Sequence, residues 1–205
     1  MINNVLTQEE IDQNRETIIS LLRTINREGA HVEELIQRLM DSDFFIAPAS
    51  TKYHGAYPGG LADHTLCVYN NLVSLIKSKH LEEQIPMESV IVTSLLHDLD
   101  KINSYEVYQK NIPPREGKPK WTQEEFYKNK EDSEKFIYGN HEQNSEYLAR
   151  QFIPLKKEES IAILHHMGGM HFDCAQDNIG RIYTSSPLSV LLHLADMLAA
   201  YIEKA

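Results

Sequence analysis

The chain has 205 residues, 41% of them hydrophobic and 24% charged, with a formal net charge of −10. It has two cysteines, Cys67 and Cys174. No stretch approaches the about 18 apolar residues of a membrane span, no basic and then apolar leader opens the sequence, and two cysteines are too few for a disulfide framework, so one globular domain in a reducing cytoplasm is expected. The acidic balance disfavours long nucleic acid, whose binding rests on Lys and Arg neutralising phosphates, and points to a small or short substrate.

Apolar residues recur with helical spacing along most of the chain. Residues 8–28 place Ile11, Ile18, Leu21, Leu22 and Ile25 on one stripe, with Gly29 as the expected stop, and residues 31–40 repeat the pattern. A loop rich in Pro and Gly, "DSDFFIAPASTKYHGAYPGGLADH", leads into a helix near Leu61. Further helices are expected at about 61–79, 87–101, 141–152, 158–167 and 187–203. One interruption, 104–130, reads as two short strands around "NIPPREGKP", a β-hairpin arm on a helical body. Its aromatics (Tyr105, Tyr108, Trp121, Phe126, Tyr127) either pack the hairpin onto the helices or line the mouth of a site. The organisation expected is a single mainly α domain, with the N-terminal helices (about 8–40) packed on a core of 43–203.

Histidine is the unusual residue, with ten in the chain. His64 falls near the start of one predicted helix, His97 and Asp98 at the end of another, His141 at the start of a third and His165-His166 at the end of a fourth. Asp196 interrupts the apolar run "VLLHLADMLAA". An ionised carboxylate in such a run is costly unless something compensates it. Each residue alone is readable as a cap or a satisfied core group. A bound cation would satisfy all of them at once, and mixed imidazole and carboxylate ligands suit Mn, Fe, Co, Ni or Zn better than Mg or Ca.

The order His64, then His97-Asp98, then Asp196 on separate helices resembles the HD superfamily of metal-dependent phosphohydrolases. The likeness extends around the motifs: "YHGAYPGGLADHTLCV" is similar to the stretch carrying the first histidine, "SLLHDLDKI" to the doublet helix with its following lysine, and "LLHLADMLAA" to the last aspartate helix. It covers about residues 43–203 and implies an HD-type helical bundle.

By that resemblance His64, His97, Asp98 and Asp196 hold one divalent transition ion. His141 and His166 hold a second, with Asp98 bridging, and His165 is the alternate or outer group. A one-ion reading, with His141 outside the ligand set, stays open. The implied activity is hydrolysis of a phosphate ester or phosphodiester of a nucleotide or short oligonucleotide by metal-activated water. Asp98 and Lys101 would be its catalytic residues, Lys101 offering a point charge to phosphate. Lys52 and His54 are further candidates for phosphate contact, and His193 for orienting Asp196. Two other readings remain: a di-iron oxygenase on the same scaffold, and a non-catalytic module that senses a nucleotide. No motif specifies the base, the number of phosphates or the oligomeric state.

Overall fold

A computed structural model describes residues 5–168, 177–203 and 205, without the side chains of residues 177 and 178; Cys174 lies outside the described residues. Its helices are α1 (Gln8–Leu22), α2 (Val32–Met40), α3 (Gly60–Ser78), α4 (Met87–Leu96), α5 (His141–Arg150), α6 (Lys157–Leu164), α7 (Asp177–Ser185) and α8 (Pro187–Met197). A π-helical stretch, Leu198–Glu203, continues α8. Strands β1 (Tyr105–Ile112) and β2 (Thr122–Asn129) pair antiparallel, with Tyr105 opposite Asn129 and Ile112 opposite Thr122. The protein is therefore mainly α with a small hairpin arm, as its sequence predicts. Among the described residues no single helix is long and apolar enough to cross a membrane.

The centre of the bundle is α4. Every residue from Ser89 to Leu96 is buried, as expected of a helix apolar on all sides. Around it pack α3, α5 and α6, with α8 against α3 and α6 and α1 against α3 and α4. Ile18 and Leu22 of α1 join Leu35, Leu61, Leu95 and Leu96 in one core cluster, while Leu72, Val90, Ala162 and Leu192 belong to a second.

The helix expected over 8–28 stops at Leu22, short of Gly29. Arg27 explains the early stop. Its guanidinium turns inward and grips Glu159 with two bonds of 2.7 and 2.9 Å, while Nη2 also reaches Glu88 at 2.8 Å. Asn26 N–H donates to the same Glu88. A continuous helix would carry both residues away from α4 and α6. A second difference lies at α7, which no apolar stripe announced.

The loop before α3 is locked by backbone. Ala49 N–H donates to Gly55 O at 2.8 Å, and Leu61 N–H to Ala47 O at 3.0 Å. Gly59 has φ +82°, and a Cβ on Gly60 would lie 2.0 Å from Gly55 O, so neither position accepts a side chain. This "PGG" turn starts α3 at Gly60 and places His64 in its second turn.

Candidate metal centre

Five helices or their ends, α3, α4, α5, α6 and α8, deliver side chains to one point. His64 comes from α3 and Asp196 from the end of α8, where the π-helical stretch begins. His97 and Asp98 follow α4. The sequence predicts a helix through to 101, but α4 ends at Leu96, with His97 as its cap and Asp98 at φ −112°, ψ 23°. A 3-10 turn, Leu99–Lys101, comes next. His141 opens α5, whose start is fixed by a capping box between Asn140 and Gln143. His165 caps the end of α6, and His166 lies in the turn beyond it.

The imidazoles form a continuous row. Ring centroids of His54, His64, His97, His166 and His141 follow one another at 4.9, 5.7, 4.9 and 5.1 Å. Asp98 lies against this row and divides it. Its Oδ2 faces His97 Nε2 at 3.4 Å and His64 Nε2 at 3.6 Å. Its Oδ1 faces His141 Nε2 at 2.8 Å and His166 Nε2 at 3.7 Å. Asp196 Oδ1 adds a carboxylate 3.1 Å from His64 Nε2 and 4.0 Å from His97 Nε2. Two groups of donor atoms thus lie close enough to hold an ion each: His64, His97 and Asp98, and Asp98, His141 and His166.

Each ring is oriented from behind. His97 Nδ1–H donates to Ser94 O at 2.8 Å, His166 Nδ1–H to Ile163 O at 2.7 Å, and His64 Nδ1–H to Ala205 O at 3.2 Å. These bonds select the tautomer whose Nε2 carries the lone pair, the form in which histidine ligates metals. Among the described residues His64 Nε2 and His97 Nε2 are buried with no hydrogen-bond partner, Asp196 Oδ1 lying 3.1 Å from His64 Nε2 as an ion-pair contact. Two fully buried lone pairs aimed at two carboxylates suit a cation of the imidazole-binding transition series.

The electrostatics agree. Burial pushes His97 down to about 4, which keeps it neutral. Burial acts to raise the Asp98 carboxyl, but Lys101, His97, His141 and His166 outweigh it and hold Asp98 well below the usual carboxylate range. Asp196 is likewise depressed, burial being overcome by His64. His141 is the exception among the rings. Against burial, Asp100 and Asp98 push it up to about 10. Its Nδ1 lies 2.6 Å from Asp100 Oδ1 and its Nε2 2.8 Å from Asp98 Oδ1, so it bridges two carboxylates as a cation, and a metal ion, if held there, would have to displace the Nε2 proton.

The six ligands expected from the sequence, His64, His97, Asp98, His141, His166 and Asp196, come together here, and so does Lys101, whose Nζ donates to Asp98 Oδ2 at 2.7 Å. His193 sits behind His166, not Asp196, donating from Nδ1 to His166 O at 2.6 Å. His165 is absent from both donor groups. His54 lines the cavity above the centre together with Asp98, Lys101, His141 and Asp196, a space of about 260 Å³. Lys52, a loop candidate, is exposed and lies over the Tyr53 ring. Of the hairpin aromatics, Trp121 points to solvent, Tyr108 pairs with Phe126, and Tyr105 OH reaches Ala49 O at 3.3 Å, tying the arm to the loop.

Asp100 is the residue the sequence reading missed. On a continuous helix, positions two apart point to nearly opposite sides, so Asp98 and Asp100 would not share a site. The break after Leu96 brings both to His141. The signal available was the second acid in "HDLDK" itself.

Comparison of the chain with protein-family models, with curated proteins and with solved structures finds no match. The centre is a buried His/Asp cluster that can hold a metal ion, in a helical protein, and that geometry is compatible with a metal-dependent enzyme.

Proposed function

We propose that this protein is an HD-type phosphohydrolase that cleaves a phosphate ester or phosphodiester of a nucleotide or short oligonucleotide. The observation that carries the reading is the position of Asp98, one oxygen turned to His64 and His97 and the other to His141 and His166. Together with Asp196 this matches the ligand order of the family that the motifs resemble. His64, His97, Asp98 and Asp196 would hold one ion, and Asp98, His141 and His166 a second.

Such ions, when bound, supply Lewis acidity, which lowers the pKa of water and offsets charge on phosphoryl oxygens. The chain supplies the rest. Lys101, held by Asp98 at the cavity wall, presents a charge that stays positive because Asp98 raises it against burial. Asp98, itself fixed by Lys101 and His141, keeps the two groups of ligands in register. Asp100 holds the His141 ring. No Ser or Cys nucleophile is required.

The test is a panel of mono-, di- and triphosphate and cyclic nucleotides with the chain loaded with Mn²⁺, followed by the best substrate in ¹⁸O-labelled water. Label on the phosphate product, and loss of at least about 10³-fold in Asp98→Ala, are expected. Label on the alcohol overturns the reading. A reaction that requires O₂ and iron replaces it with the di-iron oxygenase reading, and nucleotide binding without turnover replaces it with a sensing module.

A further inference from the structure

Two cavities meet above the centre. The inner one, about 260 Å³, contains the carboxylates of Asp98 and Asp196 together with His141 and Lys101. The outer one, about 450 Å³, is walled by Tyr53, His54, Ala200 and Tyr201. His54, Ala200 and Tyr201 line both, so the outer cavity adjoins the one that holds the carboxylates. Together the two fall within the range of about 300 to 1,000 Å³ usual for small-ligand sites.

The two halves differ in chemistry. The inner half holds the charged groups and imidazoles, Asp98, Asp196, Lys101 and His141, with Met167 and Met197 beside them. The outer half is framed by two aromatic rings that stay largely in water, Tyr53 at 80% and Tyr201 at 65% exposure. Their attachment is built, not incidental. Tyr53 sits in the loop closed by the Ala49 to Gly55 backbone bond, its N–H donating to Ser50 Oγ at 2.9 Å. Tyr201 lies in the π-helical stretch Leu198–Glu203, where i→i+5 bonding gathers residues five apart onto one side. Tyr201 lines the same inner cavity as Asp196 of α8. Lys52 Nζ lies 5.7 Å from the centroid of the Tyr53 ring and adds positive charge at the rim.

We propose that Tyr53 and Tyr201 are the specificity-determining walls of a base-stacking mouth, taking the base of a nucleotide whose phosphate lies inward against Lys101 and the Asp98 centre. The proposal rests on the phosphohydrolase reading. A tyrosine face stacks any base, so the mouth selects for the presence of a base and not for its identity. A sugar phosphate without a base fills only the inner cavity. The base belongs either to a free mononucleotide or to the end of a short chain.

The experiment measures binding of AMP, ribose 5-phosphate and a tetra-adenylate to the full chain loaded with Mn²⁺, with phosphate release followed in parallel. AMP should bind at least about tenfold more tightly than ribose 5-phosphate. Tyr53→Ala and Tyr201→Ala should each weaken AMP by about 5- to 150-fold and leave ribose 5-phosphate unchanged, since stacking on one ring contributes about 1 to 3 kcal/mol per base. Tyr53→Phe and Tyr201→Phe should retain wild-type affinity. The same pattern seen with the tetra-adenylate and not with AMP assigns the mouth to a chain end. Equal affinity of the three probes, or equal losses for AMP and ribose 5-phosphate, overturns the inference and leaves the phosphohydrolase reading standing. Failure of every probe to bind the loaded protein overturns both.

Discussion

Lys101 reaches back one turn to Asp98, and its Nζ lies 2.7 Å from Oδ2, the oxygen that faces His64 and His97. The lysine thus holds the carboxylate from the cavity side while the imidazoles face it from the core side. Removing the ammonium without shortening the stem, in Lys101→Met, should lower hydrolysis about 10- to 100-fold, the scale of roughly 1 to 3 kcal/mol for one charge-assisted contact. Metal content, measured by elemental analysis, should stay at the wild-type level. Loss of the ion together with activity would make Lys101 a clamp for Asp98 and nothing more.

The donor groups around Asp98 should fill separately. Loading with Mn²⁺ is expected to give two ions per chain by native mass spectrometry. His141→Ala and His166→Ala should each reduce this by about one ion, as should His64→Ala from the other side. One ion per chain in the wild type, unchanged in both His141→Ala and His166→Ala, would reduce the centre to a single ion held by His64, His97, Asp98 and Asp196.

Asp100 belongs to neither donor group, yet its Oδ1 lies 2.6 Å from Nδ1 of His141, which does. Partners of this kind set ring orientation and basicity, and their loss typically weakens metal binding about 10- to 100-fold. Asp100→Asn should therefore weaken one of the two ions by that factor in a chelator-competition titration. The other ion should be unaffected.

Away from the centre, the Arg27–Glu159 pair gives a prediction about pH. Burial acts to raise the Glu159 carboxyl, but Arg27, Ser89 and the Lys156 N–H outweigh it, so its folded pKa is lowered. A depressed carboxyl stabilises the fold above its unfolded pKa of about 4.3, and the contribution is lost as pH falls through the lower folded value. Glu159→Gln, which leaves Arg27 buried with Glu88 alone, should cost about 3 kcal/mol at pH 7. Urea titrations of both proteins should show the gap closing as pH drops from about 5 toward 2. A gap constant with pH would mean that packing, and not charge, holds the clasp.

Much of this was legible in the sequence, for reasons that are local. The turn "PGG" dictates where α3 begins, Asn140 and Gln143 cap α5, and the Pro- and Gly-rich break between "SYEVYQK" and "KWTQEEFYKN" marks the hairpin. His64, His97, Asp98 and Asp196 stood out because polar groups in apolar runs are costly. What escaped depends on partners far along the chain. Nothing near Leu22 foretells that Arg27 will meet Glu159, 132 residues away, and end α1 early. Nor does "SLLHDLDKI" disclose that its helix stops at Leu96, the event that brings Asp100 to His141. The Tyr201 position needed the π-helical winding after α8, which has no residue signature of its own.

The contact between Gly60 and the Gly55 carbonyl has one more implication, for how this protein tolerates change in length. The segment from Ala47 to Leu61 is closed at both ends by backbone bonds and pinned in its middle where a Cβ would meet Gly55 O at 2.0 Å. One residue more or fewer there would shift His54 and Tyr53 relative to His64 and so detune the cavity. The tip of the hairpin is the opposite case: a Cβ on Gly117 would meet nothing within 4 Å, and lengthening that tip disturbs only the local Arg115–Lys118 backbone pair and its ion pairs to Glu124. Insertions should therefore accumulate in the arm and be purged from the loop, a pattern that random-insertion libraries would display as one permissive window beside one silent one.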